Sequence, residues 1–269
     1  MPDFPVLSGG GFAEGSGAAA VAVGSASANT KGSWTEIVAA TAFDADQLII
    51  GMAQAGNSLT HLVDIALGGS GSEEIIIPNI LHGGHSRMMT WIPVPVSVPE
   101  GTRIAARVQS TSGSAQVQIR VVLIRQGFFG SPPGGRIITL GAQTADSGGT
   151  QVDPGAVGNT YGAWSELTAS TSDDIWAILP RLGNIGNGTA ADSAANFYYD
   201  IGVGASSAEV PISSFFAFST AANGSFGGGG PAIWLPASIP AGSRISARAR
   251  ANVTDATDRL FDVTILALT

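Results

Sequence analysis

Three histidines, His61, His82 and His85, are the residues of this chain best suited to metal or acid–base chemistry. His82-Gly-Gly-His85, with His61 as a third ligand, would offer imidazole nitrogens to a cation such as zinc. The pair reads as lying between strands, where an i, i+3 spacing has no fixed geometry. His61 shares the face of Val63, Ile65 and Leu67, so the histidines read as packed or edge residues, and no metal ligand or cofactor is expected. The adjacent acids Glu73-Glu74 and Asp173-Asp174 fare no better as an acid–base pair. Neighbouring strand residues point to opposite faces, so neither pair forms facing carboxylates. Gly68-Gly-Ser-Gly71 is followed by neither Lys-Ser/Thr nor a helix, as a phosphate loop requires. No Gly-x-Ser-x-Gly elbow stands in a strand-to-helix setting. Sequons at Asn187, Asn223 and Asn252 carry no weight without a secretory context. No catalytic residue is expected, and the chain reads as a non-enzyme.

The composition explains why chemistry is scarce. Of 269 residues, 44% are hydrophobic and only 12% charged, about half the usual charged share. With 37 glycines the chain suits turns between short strands better than helices. The net charge is −8, and Lys31 is the one lysine. Neutralising phosphates takes clustered Lys and Arg, so nucleic acid is not an expected partner. Absent cysteine excludes disulfides and thiol nucleophiles and fits folding in a reducing cytoplasm. The most apolar run, 18–23, is roughly a third of the ~20 residues of a spanning helix, so no membrane partner is expected. The start, whose first charged residues are Asp3 and Glu14, lacks the basic region of a signal peptide.

The elements that would position any site come from an internal repeat. Asn29-Thr-Lys-Gly-Ser-Trp-Thr-Glu36 returns as Asn159-Thr-Tyr-Gly-Ala-Trp-Ser-Glu166, and Pro99-Glu-Gly-Thr-Arg-Ile-Ala-Ala-Arg107 returns as Pro240-Ala-Gly-Ser-Arg-Ile-Ser-Ala-Arg248. Between them, Asp64-Ile65 with Gly68 matches Asp200-Ile201 with Gly204. The three pairs keep their order while their spacing grows, as loop insertions into a duplicated domain would make it. The extra length of the second copy falls in 183–196 and 219–230, rich in residues that tolerate positive φ.

Alternation of period two predicts strands. Val117, Ile119, Val121 and Leu123 share a face, as do Ile104, Ala106 and Val108 opposite Arg103, Arg107 and Gln109. The first copy has strand blocks at 34–41, 47–53, 61–67, 73–77, 88–94, 102–109 and 116–125. The expected fold is all-β: two tandem antiparallel β-sandwich domains, jelly-roll or Ig-like, with a Gly/Ala/Ser-rich N-terminal arm. The divisions are an extended arm over 1–28, a first domain over 29–130, a linker over 131–158 and a second domain over 159–269. The short apolar pieces 4–7 and 137–140 read either as a detached leading strand for each domain or as parts of a flexible leader and linker.

The duplicated side chains are the remaining candidates. Trp34 and Trp164 are expected to plug an end of each sandwich. Arg103, Arg107, Arg244 and Arg248 are expected to pair with acids on an outer face, or else to make one contact twice on a periodic partner. Trp91 and Trp234, together with Phe4, Val6 and Leu7 near the start, are candidate interface residues, because aromatic side chains are enriched at interfaces.

The Gly/Ala/Ser-rich start, the tandem all-β modules, the lack of cysteine and phrases such as Val94-Pro-Val-Ser-Val-Pro-Glu-Gly-Thr-Arg-Ile104 resemble virion structural proteins of tailed bacteriophages. The likeness is to capsid decoration (cement) proteins first and to tail- or head-fibre modules second. It implies a structural protein in the virion, assembled in the host cytoplasm. The implied partners are the major capsid protein and further copies of itself, a trimer among the options. A fibre module would instead bind a host receptor or glycan, with Trp176, Tyr198, Tyr199 and Phe226 as aromatic platforms.

Overall fold

The computed structural model describes residues 6–9, 21–54, 60–83, 90–113, 115–125, 135–183, 195–220, 225–226, 233–253 and 260–269. It is all-β, and the described residues contain no helix. The first unit contains β1 (Val6–Gly9), β2 (Val21–Gly24), β3 (Thr35–Val38), β4 (Ala45–Gln54), β5 (Thr60–Leu67), β6 (Glu74–Gly83), β7 (Thr90–Val94), β8 (Ile104–Ser110) and β9 (Gln116–Arg125). The second contains β10 (Ile137–Leu140), β11 (Thr150–Val152), β12 (Ser165–Thr168), β13 (Ile175–Gly183), β14 (Ala195–Val203), β15 (Val210–Thr220), β16 (Ser225–Phe226), β17 (Leu235–Ile239), β18 (Ile245–Ala251) and β19 (Phe261–Leu268).

In the first unit one sheet runs β1-β9-β4-β7, with β2 also on β9, and the other runs β3-β8-β5-β6. The second unit repeats this as β10-β19-β13-β17, with β11 also on β19, and β12-β18-β14-β15, extended by β16. Successive strands from β2 to β9 alternate between sheets except at the β5–β6 hairpin, and first and last strands pair. That is the jelly-roll order, which decides between the two expected sandwich types. All pairings between these strands are antiparallel.

Three stretches differ from expectation. Val21–Gly24 is a strand on β9 with Val23 fully buried, so this end of the expected arm belongs to the first sandwich. Within 131–158 the piece 137–140 is strand β10, one of its two expected readings, and β11 is a further strand beside it; both pair with the last strand of the second unit. Strand β6 continues past 77 to Gly83. Pro78-Asn79 looks like a strand end, but Asn79 takes a left-handed φ of 49° and its N–H donates to Asp64 at 2.8 Å. This bulge absorbs one residue and lets the ladder resume, with Ile80 opposite Val63 and His82 opposite His61.

The units are joined through an edge. Strands β6 and β7 end the two sheets of the first sandwich, and an uncovered edge invites unwanted pairing. Here the outer face of the β10-β19-β13-β17 sheet lies against them. Ile137, Leu179, Leu266 and Leu268 join the apolar core of the first unit. The Trp234 indole donates to the Pro93 carbonyl at 2.6 Å, and the Thr139 hydroxyl donates to the Pro78 carbonyl. Gln109 donates to the Thr144 carbonyl and Ser147 to Asn29 at 2.8 Å. The second sandwich keeps its own core around Phe197, Tyr199, Ile201, Phe261 and Val263.

Candidate functional site

The duplicated residues build one framework twice. Asn29 and Asn159 both adopt left-handed backbone, with φ of 56° and 61°. Their N–H groups donate to Ser110 and Ala251 carbonyls at 2.7 and 2.6 Å, tying each Asn-Thr motif to β8 or β18. In the second motif Gly101 and Gly242 have φ of 75° and 81°, and their N–H groups donate to the Thr41 and Thr171 carbonyls. Arg103 bridges Glu36 at 2.9 Å and Glu73 at 3.1 Å, and Arg244 bridges Glu166 and Glu209 in the same way. Against the opposing effect of desolvation, backbone N–H groups together with these arginines hold Glu73 and Glu209 below the ordinary carboxylate range.

One row further in stand the buried carboxylates Asp64 and Asp200. Asp64 accepts from Arg107 (2.8 Å), Lys31 (2.7 Å) and the Asn79 N–H (2.8 Å). Asp200 accepts from Arg248 (2.9 Å), the Tyr161 hydroxyl (3.0 Å) and Ser214 (2.7 Å). Lys31 and Tyr161 are the variable third position of the repeat motif, and both reach the same aspartate. Above them Arg107 lies 4.5 Å over Trp34 and Arg248 lies 4.5 Å over Trp164. The tryptophans thus lie on the outer sheet face beneath a guanidinium and do not plug an end of the sandwich. Gly202 makes room for Trp164, whose ring leaves no space for a Cβ there. All four candidate arginines are engaged with acids of their own unit, which favours their structural role. A buried or half-buried ion pair of this geometry holds its partners in register, since removing one leaves the other uncompensated.

The other candidates fall in different places. Trp234 is used within the chain, at the joint with Pro93. Trp91 pairs opposite Gly51 and is half-buried on the outer face of the first sheet. Val6 and Leu7 lie in β1, in register with Ile124 and Leu123. Phe4 and His85 lie outside the described residues. Of the proposed platforms, Tyr199 is buried and stacks on Phe215 at 4.9 Å, so it cannot present a ring to solvent. Tyr198 and Trp176 are exposed, and Trp176 borders a cleft of about 210 Å³ with Asp174, Ser238 and Pro240.

His82 lies inside β6 and not between strands, because of the Asn79 bulge. Its ring stacks on His61 at 6.2 Å. Burial pushes His61 down to about 4, and burial with the nearby His61 and Arg181 pushes His82 down to about 3. Arg181, on β13 and fully buried, is lowered to about 10 by burial, and none of its three nitrogens has a hydrogen-bond partner among the described residues. Sequence reasoning missed Arg181, a lone arginine in an apolar strand. Among the described residues no group of three or more His, Asp or Glu is placed to hold a metal. Asp173 pairs with Arg136 at 3.1 Å, and Asp174 accepts from the Ala241 N–H at 2.7 Å, so this acid pair is committed to turns. Neither protein-family models nor curated proteins gave a match to this chain.

Proposed function

We propose that this chain is a non-enzymatic structural protein of a phage virion, bound to the outside of the capsid as a decoration or cement protein. The observation that carries the reading is the contrast between its inner and outer residues. The duplicated arginines, acids and tryptophans are committed to the framework of their own jelly roll, while the second unit presents Trp176, Val210, Ile212 and Ile233 to solvent. Large apolar side chains on an outer surface mark contact with other proteins. Two fused sandwiches give a stiff block with several faces, suited to bridging neighbouring subunits of a shell. Binding only the assembled shell stabilises it by mass action, and many copies add avidity.

A second reading, a tail- or head-fibre module that binds a host receptor or glycan, is favoured by exposed Tyr198 and by the cleft beside Trp176. Immunogold labelling of intact particles separates the two. The cement role predicts label spread evenly over the capsid. Label confined to one pole would overturn it in favour of the fibre module.

A further inference from the structure

The joint between the two units is asymmetric: the second unit offers a sheet face, and the first offers an edge. Because each unit carries both features, the molecule retains one further face, on the first unit, and one further edge, on the second.

The face can be compared position by position. Leu179 pairs with Leu266 in the second unit, and Ile49 pairs with Val122 at the same place in the first. Ile137 pairs with Leu268, and Val6 with Ile124. Thr139, which bonds across the joint, corresponds to Ser8, another hydroxyl. The apolar pattern that seals the joint is therefore present on the outer face of the β1-β9-β4-β7 sheet. Half-buried Ile49, Val122 and Trp91 lie there.

The edge corresponds in the same way. Leu62, opposite Gln109, is fully buried beside the joint, and its counterpart Tyr198, opposite Arg250, is 39% exposed. Glu74 pairs with Leu67 as Val210 pairs with Val203. Two residues on, Ile76 is half-buried against the first unit's apolar core, which the joint residues enter, whereas Ile212 is 43% exposed. The second unit thus presents Tyr198 and Ile212 at positions the first unit covers, with exposed Val210 beside them where the first unit has exposed Glu74.

We propose that copies of this chain associate head to tail. The outer face of the β1-β9-β4-β7 sheet in one copy covers the β15 edge of the next copy's second unit, repeating between molecules the joint within each. The occupant is a second copy because every molecule carries both complementary surfaces in equal number. Such a contact is heterologous, so it propagates beyond a dimer into a ring or filament. The inference rests on the internal joint and not on the capsid reading.

Mixing of complementary variants tests it. A face variant (Ile49→Lys with Val122→Lys) keeps its edge, and an edge variant (Val210→Lys with Ile212→Lys) keeps its face. At micromolar concentration, light scattering should give more than two chain masses for the wild type and one for each variant alone. An equimolar mixture of the two variants should give two chain masses and no more. A monomeric wild type, an assembly that survives the edge substitutions, or a mixture that stays monomeric while both variants show native circular dichroism would overturn the proposal. If the face variant does not fold, the edge variant still decides, since its changes are at exposed positions. In excess it should cap wild-type assemblies and shift them to smaller mass, and unchanged mass would count against the proposal.

Discussion

At the residue scale, the histidines show how the same side chain reads differently once its strand is placed. From the sequence, His82 and His85 read as an i, i+3 pair between strands, where that spacing has no fixed geometry. In the fold, His61 and His82 face each other across β5 and β6, buried and next to a buried guanidinium. Their role is to titrate against folding. Both stay neutral in the native protein well below their ordinary value of 6.5, so the unfolded chain binds more protons at mildly acidic pH. Their contribution is fully present above pH 6.5 and is lost as the pH falls toward about 4 for His61 and about 3 for His82. Between pH 6.5 and 4.5, above the range of the depressed carboxylates, each histidine should remove roughly 2 kcal/mol of stability. Urea unfolding across that window should show this loss in the wild type and a much flatter profile in a His61→Leu, His82→Leu variant. An unchanged slope in the variant would mean that other groups carry the pH dependence.

At the scale of elements, the strand ladder was legible wherever side chains alternate. The blocks around 47–53, 61–67, 102–109 and 116–125 are β4, β5, β8 and β9 with ends moved by a few residues. What the alternation could not show was where a strand survives a breaker. Pro78-Asn79 reads as an end, yet the buried Asp64 captures the Asn79 N–H and the Pro78 carbonyl receives Thr139 from the other unit. Both partners are distant in sequence. The short pieces at 4–7 and 137–140 are ambiguous in sequence for a related reason, since four residues carry too little pattern without the last strand with which β1 and β10 pair. The repeat motifs were more legible than their chemistry. Their spacing revealed the duplication, but whether Trp34 lies under Arg107 or plugs a sandwich end depends on which face each occupies. The left-handed turns make a prediction of their own. A Cβ on Gly101 or Gly242 meets no atom within 4 Å, so alanine there bears only the backbone strain, about 1–2 kcal/mol at each. At Gly68, with φ of 107°, a Cβ would also come within 2.8 Å of the Ser72 carbonyl. Thermal melts should therefore rank Gly68→Ala as clearly more destabilising than Gly101→Ala and Gly242→Ala, which should match each other. Equal losses at all three would contradict the stated turn geometry.

At the scale of the whole molecule, duplication has produced two similar units in unequal surroundings. The first has its edge sealed by the second, and residues such as Leu62 and Gln109 are buried there. At the same positions the second has exposed Tyr198 and half-buried Arg250, which lies 4.8 Å over the Tyr198 ring. The duplicated ion pairs maintain each sandwich, so the repeated charged residues are engaged within the fold. This is why function was less legible than fold: the repeated, and therefore most visible, residues are those that build the framework. The exposed aromatics Trp176 and Tyr198 occur in the second unit alone and carry no repeat pattern. A protein that binds an assembled shell in many copies should raise the temperature at which the shell fails. The most direct measurement is thermal release of DNA from particles with and without this chain. The cement account predicts release at a lower temperature from particles lacking it, restored when purified protein is added back. Equal release temperatures from the two kinds of particle would contradict it.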